Sequence, residues 1–159
     1  MEIGIISDTH DHMANIRKIL SMLKERQINT ILHAGDFVSP FTWRAFKNFD
    51  GEIFGVFGNN DGDRVLLKKM YGHRIEKGIR SLEIGGRKIA LMHEPQLLEE
   101  LALSKKFHVI VYGHMHEIDI RRIEDSLILN PGEACGWLYG KPSFIILNLE
   151  TLKEEIIYL

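Results

Sequence analysis

Short apolar runs alternate with amphipathic segments over the first sixty residues. The runs at 3–6, 30–33 and 53–57 are rich in β-branched side chains, and each ends at a polar or glycine-containing turn. Between them, apolar side chains recur at helical spacing in residues 13–24 and 40–49. This alternation of strand and helix predicts parallel strands joined by helical crossovers.

The remainder of the chain has a different pattern, in which strands come in pairs joined by short turns. Gly85-Gly86 separates two apolar runs and is typical of a two-residue hairpin turn. Parallel units followed by hairpins predict an α/β fold of two mixed sheets packed face to face, with helices outside. Strand pairs are predicted at 79–92, 118–129 and 143–158. A short helix is predicted at 96–105 and a further buried strand at 109–112.

The composition is that of an ordinary globular chain and fits a single domain over residues 1–159. Hydrophobic residues make up 45% and charged residues 26% of the sequence, and the net charge is −2. Without a Lys/Arg run, tight binding of long nucleic acid is not expected. The lone Cys135 favours a reducing, cytoplasmic setting. We expect neither a signal peptide nor a membrane-spanning segment, because no basic leader and no long apolar stretch is present.

Polar and histidine-containing clusters follow five of the predicted strands. The carboxyl ends of parallel strands meet at one edge of a sheet, so these clusters are expected to converge there. Carboxylate, carboxamide and imidazole side chains together favour divalent transition metals. Each cluster alone is weak evidence: Asp8 is equally a helix cap, and His93 a packed histidine. The five clusters are Asp8-Thr9-His10, Gly35-Asp36, Gly58-Asn59-Asn60-Asp61, His93-Glu94 and Gly113-His114-Met115-His116.

Taken in order, the clusters resemble the motifs of the calcineurin-like metallophosphoesterases. Asn130-Pro131-Gly132 is also typical of their small phosphodiesterase group, which includes a eukaryotic retromer subunit. The resemblance covers essentially the whole chain and implies a four-layer α/β/β/α sandwich. The matching positions are Asp8-x-His10, Gly35-Asp36, Gly58-Asn59-Asn60-Asp61, His93 and Gly113-His114-x-His116.

The resemblance also implies two divalent metal ions that share a nucleophilic hydroxide and are bridged by Asp36. Manganese or nickel is favoured, with cobalt, zinc, iron or magnesium as alternatives. Asp36, Asn60 and His93 are expected to act in catalysis. The implied ligand sets are Asp8, His10, Asp36 and His116 for one ion, and Asp36, Asn59, His93 and His114 for the other.

Two positions depart from the family pattern. Asn60 stands where a histidine that assists the leaving oxygen is usual, and this puts general-acid catalysis in doubt. Glu94 stands where glycine is common after the histidine. Glu94 either narrows the site or is a solvated loop residue, and we favour the second interpretation.

Two functions compete on these observations. The first is a phosphodiesterase acting on small phosphodiesters; the second is a protein-interaction scaffold of the same fold. We favour the enzyme because all seven implied ligands are present. A dinucleotide-binding fold is excluded because no glycine-rich fingerprint follows the first strand, and the resemblance suggests a homodimer.

Four other side chains near the motifs are assigned a pair of alternatives each. His12 lines the pocket or lies in a surface loop, and His33 supports a ligand or packs in the core. Cys135 is expected to be a small packed residue rather than a ligand. Trp137, next to Gly136, forms either a pocket wall or a dimer contact.

Overall fold

The computed structural model describes residues 1–159 and contains eleven strands and four α-helices. The helices are α1 (Met13–Glu25), α2 (Trp43–Phe46), α3 (Arg64–Tyr71) and α4 (Leu98–Leu103). The strands are β1 (Glu2–Ile6), β2 (Thr30–His33), β3 (Glu52–Val56), β4 (Ile75–Glu76), β5 (Arg80–Ile84), β6 (Arg87–Leu91), β7 (Val109–Val111), β8 (Ile118–Ile123), β9 (Ser126–Pro131), β10 (Ser143–Asn148) and β11 (Lys153–Tyr158).

The first sheet is mixed and has the order β11-β10-β1-β2-β3-β4. Strands β1, β2 and β3 are parallel neighbours, as the alternating pattern predicts, with Ile5 opposite Leu32 and Leu32 opposite Phe54. Strand β10 pairs antiparallel with β1 and with β11. The carboxyl ends of β1, β2 and β3 therefore lie side by side.

The second sheet is also mixed and has the order β5-β6-β7-β9-β8. The hairpin predicted around Gly85-Gly86 is confirmed, because β5 and β6 pair antiparallel on either side of it. Strands β6 and β7 are parallel, and β7 is parallel to β9. The carboxyl ends of β6 and β7 thus point the same way within this sheet.

Apolar side chains fill three layers between four layers of secondary structure. The inner faces of the two sheets share a buried core that includes Ile5, Leu32, Leu91 and Val111. Helix α1 packs Ile16, Ile19 and Leu23 against the outer face of the first sheet. Helix α4 covers the outer face of the second sheet with Leu98 and Ala102. The predicted α/β/β/α sandwich is confirmed.

Helix α3 was not predicted, and two other helices are shorter than expected. Only Leu67 and Tyr71 of α3 are buried, while Val65 is exposed, so the helical period is masked. The expected helix over 40–49 is a 3₁₀ turn followed by one α-helical turn that ends at Phe46. The positive φ of Leu97 delays the start of α4.

No helix in this chain has the length and apolar character that crossing a bilayer demands.

Candidate metal centre

The five predicted clusters come together where the carboxyl edges of the two sheets meet. Loops after β1, β2 and β3 approach from the first sheet, and loops after β6 and β7 approach from the second. Backbone bonds tie the loops together: Asp8 N–H donates to Gly35 O at 3.1 Å, and Gly113 N–H donates to His93 O at 3.0 Å. Convergence is confirmed, although it involves the edges of two sheets rather than one.

Asp8, His10, Asp36 and His116 form a compact group of possible ligands. Their donor atoms all lie within 4.8 Å of one another. His116 Nε2 is 3.4 Å from Asp8 Oδ1, and His10 Nε2 is 3.4 Å from Asp36 Oδ2. Asp8 Oδ1 and His10 Nε2 are buried and have no hydrogen-bond partner. Buried polar atoms normally have a hydrogen-bond partner. Two neighbouring buried atoms that lack one, and that can both bind a metal, therefore fit a bound cation.

Asn59, His93 and His114 surround the other side of Asp36. Asn59 Oδ1 lies 2.7 Å from His93 Nε2 and 2.9 Å from His114 Nδ1, and Asp36 Oδ2 lies 3.5 Å from His93 Nε2. His93 Nδ1 is 2.7 Å from the carbonyl oxygen of Ala34, so it carries the proton. In the neutral ring, Nε2 is then an acceptor that faces two acceptor oxygens, an arrangement that a cation would satisfy.

Electrostatics in the first group shift the pKa values of Asp8 and His10 in opposite directions. Burial alone would raise the pKa of Asp8, but the His10 imidazole and the Ser7 hydroxyl outweigh it and hold that pKa below its ordinary value. The neighbouring Asp8 in turn raises the pKa of His10. Ser7 Oγ donates to Asp8 Oδ2 at 2.5 Å, which leaves Oδ1 as the free oxygen.

The backbone of the centre is mostly in the left-handed region. Five of the seven predicted ligands have positive φ, a conformation uncommon for residues with a side chain: Asp8, His10, Asp36, His114 and His116. Two glycines allow the loops to approach closely. A Cβ at Gly58 would collide with Asp36, and one at Gly113 would collide with Ser7 Oγ. Strained backbone of this kind tends to cluster at functional sites.

Glu133 is a component of the site that the sequence motifs did not reveal. It is 1% exposed, and its Oε2 accepts a hydrogen bond from His116 Nδ1 at 2.8 Å. Burial alone would raise the pKa of Glu133, but His116 and the N–H groups of Tyr139 and Leu138 hold it below its ordinary value. A carboxylate on Nδ1 fixes the ring so that Nε2 faces Asp8, as ligand histidines require.

We expect Glu133→Gln to weaken binding of Mn²⁺ by about 10- to 100-fold, because the partner that orients His116 loses its charge. Competition with a fluorescent chelator measures the affinity. Glu99→Gln is the matched control, since it removes an equal charge from an exposed residue on α4. Equal Mn²⁺ affinities in the two variants, with both proteins folded, would contradict this role.

His33 is a core histidine rather than a ligand. Its ring stacks on Phe37 at 3.6 Å between centroids, Gly35 N–H donates to its Nδ1 at 3.2 Å, and its Nε2 lies 3.1 Å from Thr9 Oγ1. Burial lowers the pKa of His33 to about 3. The neutral ring therefore supports the turn that carries Asp36.

This buried ring makes the stability of the metal-free protein depend on pH. An unfolded histidine takes up a proton below about pH 6.5, whereas folded His33 stays neutral down to about pH 3. The contribution of His33 to the free energy of unfolding is therefore complete above the pKa of the unfolded histidine. It decreases as the pH falls below that value, with a slope that approaches about 1.4 kcal/mol per pH unit. Urea titrations between about pH 5 and pH 7 should show a steeper fall for the native protein than for His33→Gln. Parallel slopes would be inconsistent with a neutral buried ring.

The remaining candidates have simpler environments. His12, rather than Asp8, caps helix α1: its Nδ1 accepts from Asn15 N–H at 3.2 Å. Glu94 is exposed, in agreement with the solvated-loop interpretation. Cys135 is buried, and burial raises the pKa of its thiol to about 12, so it is a packed thiol.

Asn60 is exposed, but its backbone and side chain are both bonded to Asp36. Its backbone N–H donates to Asp36 Oδ1 and its Nδ2 donates to Asp36 Oδ2, both at 2.8 Å. The adjacent Asp61 is also engaged, because its two carboxylate oxygens accept from the N–H groups of Val38 and Gly58 at 2.7 Å. The pair therefore fixes the loop after β3 around Asp36.

A cleft of about 490 Å³ opens beside Asn59 and His93, and Arg64 and Lys77 are among the residues that line it. A separate cavity of about 560 Å³ lies between α1 and the loop after α2, away from the seven predicted ligands. The cleft therefore borders the centre on the Asn59 and His93 side, and the carboxylate of Glu94 lines it together with the two cations.

The fold and the seven converging donors are those of a metallophosphoesterase. The sequence-family model named calcineurin-like phosphoesterase superfamily domain matches residues 1–152. The chain therefore belongs to this superfamily. The resemblance inferred from the motifs is thereby confirmed.

Comparison with individual proteins agrees with this assignment. The chain is 40% identical to phosphodiesterase MJ0936 of Methanocaldococcus jannaschii, over 100% of this chain and 99% of that one. The structure of an archaeal phosphodiesterase matches with a TM-score of 0.94 and 38% identity over the full length of both chains. Vps29 of Entamoeba histolytica, solved in complex with Zn²⁺, shares the fold with a TM-score of 0.72 at 24% identity over 99% of both chains.

Proposed function

We propose that this protein is a binuclear metal-dependent phosphodiesterase that hydrolyses small phosphodiesters. The observation that carries the proposal is the convergence of seven oxygen and nitrogen donors, two of them buried without a partner. The 40% identity to a phosphodiesterase over the whole chain supports the same function. Because a scaffold does not need such a set of donors, the scaffold alternative is not favoured.

The donor geometry supports two ligand sets that share one carboxylate. Asp8, His10, Asp36 and His116 would hold one divalent ion; Asp36, Asn59, His93 and His114 would hold the other. Asp36 Oδ2 lies between His10 Nε2 at 3.4 Å and His93 Nε2 at 3.5 Å, as a bridging position requires. When bound, two such ions polarise a phosphoryl oxygen and provide a hydrolytic nucleophile at neutral pH.

The side chains of the centre favour an anionic substrate. Asp8 and Asp36 supply two carboxylates, whereas Asn59 supplies a neutral amide oxygen in the position of a third ligand. A third carboxylate would offset more of the positive charge that two divalent ions bring, and would weaken phosphate binding. Arg64 and Lys77, which line the adjacent cleft, add positive charge on the approach to the centre.

Asp36, Asn60 and His93 have different tasks in this proposal. Asn60 holds both oxygens of Asp36 in place, and His93 is oriented by the carbonyl oxygen of Ala34. Asn60 is therefore a positioning residue, and its carboxamide has no proton to give near neutral pH. A leaving oxygen receives no proton from this position.

The proposal further includes manganese or nickel as the metal, a single domain over residues 1–159, and a cytoplasmic location. The free, buried Cys135 supports the cytoplasmic location, the length of 159 residues supports a single domain, and the mixed oxygen and nitrogen ligands support a transition metal. Long nucleic acid is not expected to bind tightly, because a basic face is needed for that.

A reconstitution screen tests the function. Metal-free protein is loaded in turn with manganese, nickel, cobalt, zinc and magnesium, and hydrolysis of an aryl phosphodiester is followed together with metal content. We expect activity with at least one metal and a content approaching two ions per chain. A folded, metal-loaded protein that cleaves no diester above the metal-free background would favour the scaffold, and a firm plateau at one ion would reject the binuclear centre.

A further inference from the structure

Trp137 is an exposed aromatic side chain at the edge of the candidate metal centre. Its ring centroid lies 6.0 Å from that of His10 and 6.1 Å from that of His12, yet the residue is 62% exposed. The other tryptophan, Trp43, packs against Tyr71 at 4.8 Å, next to the main core. Trp137 therefore touches the metal centre with one part of its ring and leaves most of its surface to solvent.

Side-chain hydrogen bonds fix the loop that carries Trp137. Glu133 accepts hydrogen bonds from the N–H groups of Leu138 and Tyr139, at 3.0 Å and 2.7 Å, with the same carboxylate that orients His116. Asn15 Nδ2 donates to Ala134 O at 2.8 Å and fastens the start of the loop to α1. The position of the indole is thus tied to the position of a predicted ligand.

Several large apolar or aromatic side chains exposed together beside a site commonly mark a surface that a ligand covers. Leu138 and Tyr139 are exposed in the same loop, and Met115, between His114 and His116, is exposed on a neighbouring loop. Trp137 lies on the His10 side of the centre, and Tyr139 lines a small cavity together with His116. Arg64 and Lys77 lie on the opposite side, beside Asn59 and His93. The two sides therefore suit different parts of one substrate.

We propose that Trp137 is a stacking platform for the base of a nucleoside esterified to the scissile phosphate, so that the substrates are small nucleoside phosphodiesters. This inference rests on the proposed function and specifies its substrate class. Aromatic rings associate at centroid separations of about 4.5–7 Å, and every nucleobase has a π face that can stack on an indole. A base joined through its sugar to a phosphate held near His10 lies within reach of Trp137, which is in contact range of the His10 ring.

The kinetic test compares two diesters with the same nitrophenyl leaving group, one carrying thymidine and one carrying methyl. Trp137→Ala is expected to raise KM for the thymidine diester by about 5- to 100-fold, with little change in kcat, and to leave KM for the methyl diester within about threefold. Trp137→Phe should restore most of the affinity, since a phenyl ring still stacks. Leu103→Ala is the matched control, because it shortens a similarly exposed apolar side chain on α4.

A binding measurement tests the platform independently of turnover. In a Trp43→Phe background Trp137 is the only tryptophan, because the chain has two. Adenosine monophosphate should quench its emission in the manganese-loaded protein, and ribose 5-phosphate should not. If no diester is cleaved with any metal, the proposed function is wrong. The quenching measurement still tests whether a nucleobase stacks on Trp137.

Two results would overturn the inference. One is an equal rise in KM for the thymidine and methyl diesters in Trp137→Ala, with no quenching by the nucleotide. The other is a dimer that dissociates on Trp137→Ala, together with a blue-shifted Trp137 emission that nucleotide leaves unchanged. In that case a second copy of the chain covers the loop.

Discussion

Asp36→Asn is expected to reduce diester hydrolysis by at least about 10²–10³-fold, the largest loss among single substitutions at the centre. The reason is that Asp36 is the one carboxylate placed against both groups of donors, at 3.4 Å from His10 and 3.5 Å from His93. Asparagine is preferred to alanine because residue 36 has a φ of 58°, which asparagine tolerates well. Metal content measured by elemental analysis should also fall below two ions per chain.

Asp63→Asn is the matched control for this experiment. It removes the same charge from an exposed residue that caps α3, and asparagine caps as well as aspartate does. The control should keep near-native activity and metal content. Full activity in Asp36→Asn, with two ions still bound, would show that the two ions do not depend on this carboxylate.

The second large effect concerns the leaving group. A positioned general acid contributes about 10²- to 10⁴-fold, mainly for basic leaving oxygens, and Asn60 cannot act as one. We therefore expect the rate to fall steeply as leaving-group pKa rises, with aryl diesters cleaved well and alkyl esters poorly. Asn60→His should flatten this dependence by helping poor leaving groups more than good ones.

The measurement is a series of diesters with graded leaving groups, assayed with one metal. Asn60→Ala separates the two roles of the position, because it removes the bond from Nδ2 to Asp36 without supplying a proton. That variant should lose rate uniformly and keep the native slope. If the native enzyme shows no dependence on leaving-group pKa while chemistry limits the rate, another group delivers the proton. Asp61 is a poor candidate, since both its oxygens accept backbone N–H groups.

The strands and the convergence of the five polar clusters could be predicted because both follow from local rules. β-Branched runs that end in polar turns locate β1, β2 and β3, and the order of elements makes these strands parallel. Once strands are parallel, their carboxyl ends must coincide, so residues as distant in sequence as Asp8 and Asp36 were expected to meet. The sequence pattern did not predict helix α3, because its buried face consists only of Leu67 and Tyr71.

Other features of the site depend on tertiary contacts that leave no trace in a local pattern. Glu133 belongs to no motif and reaches His116 only because the turn after β9 folds back over the loop after β7. The attachment of Asn60 to Asp36 depends on the left-handed backbone of residue 36, which sequence spacing does not specify. His12, and not Asp8, caps α1 because the helix begins only at Met13, directly after His12.

The pairing of β1 with β10 has a consequence for how the nascent chain matures. Strand β1 is synthesised long before its antiparallel neighbour, which lies at Ser143–Asn148. The loop after β1 also depends on residues that are synthesised late, because Ser7 O and Asp8 O accept hydrogen bonds from the N–H groups of Ala134 and Cys135. Contacts of such long sequence separation form late. Metal capture is therefore expected to follow synthesis of β10 and closure of this strand pair, so that a nascent chain that lacks β10 still carries an open, metal-free centre.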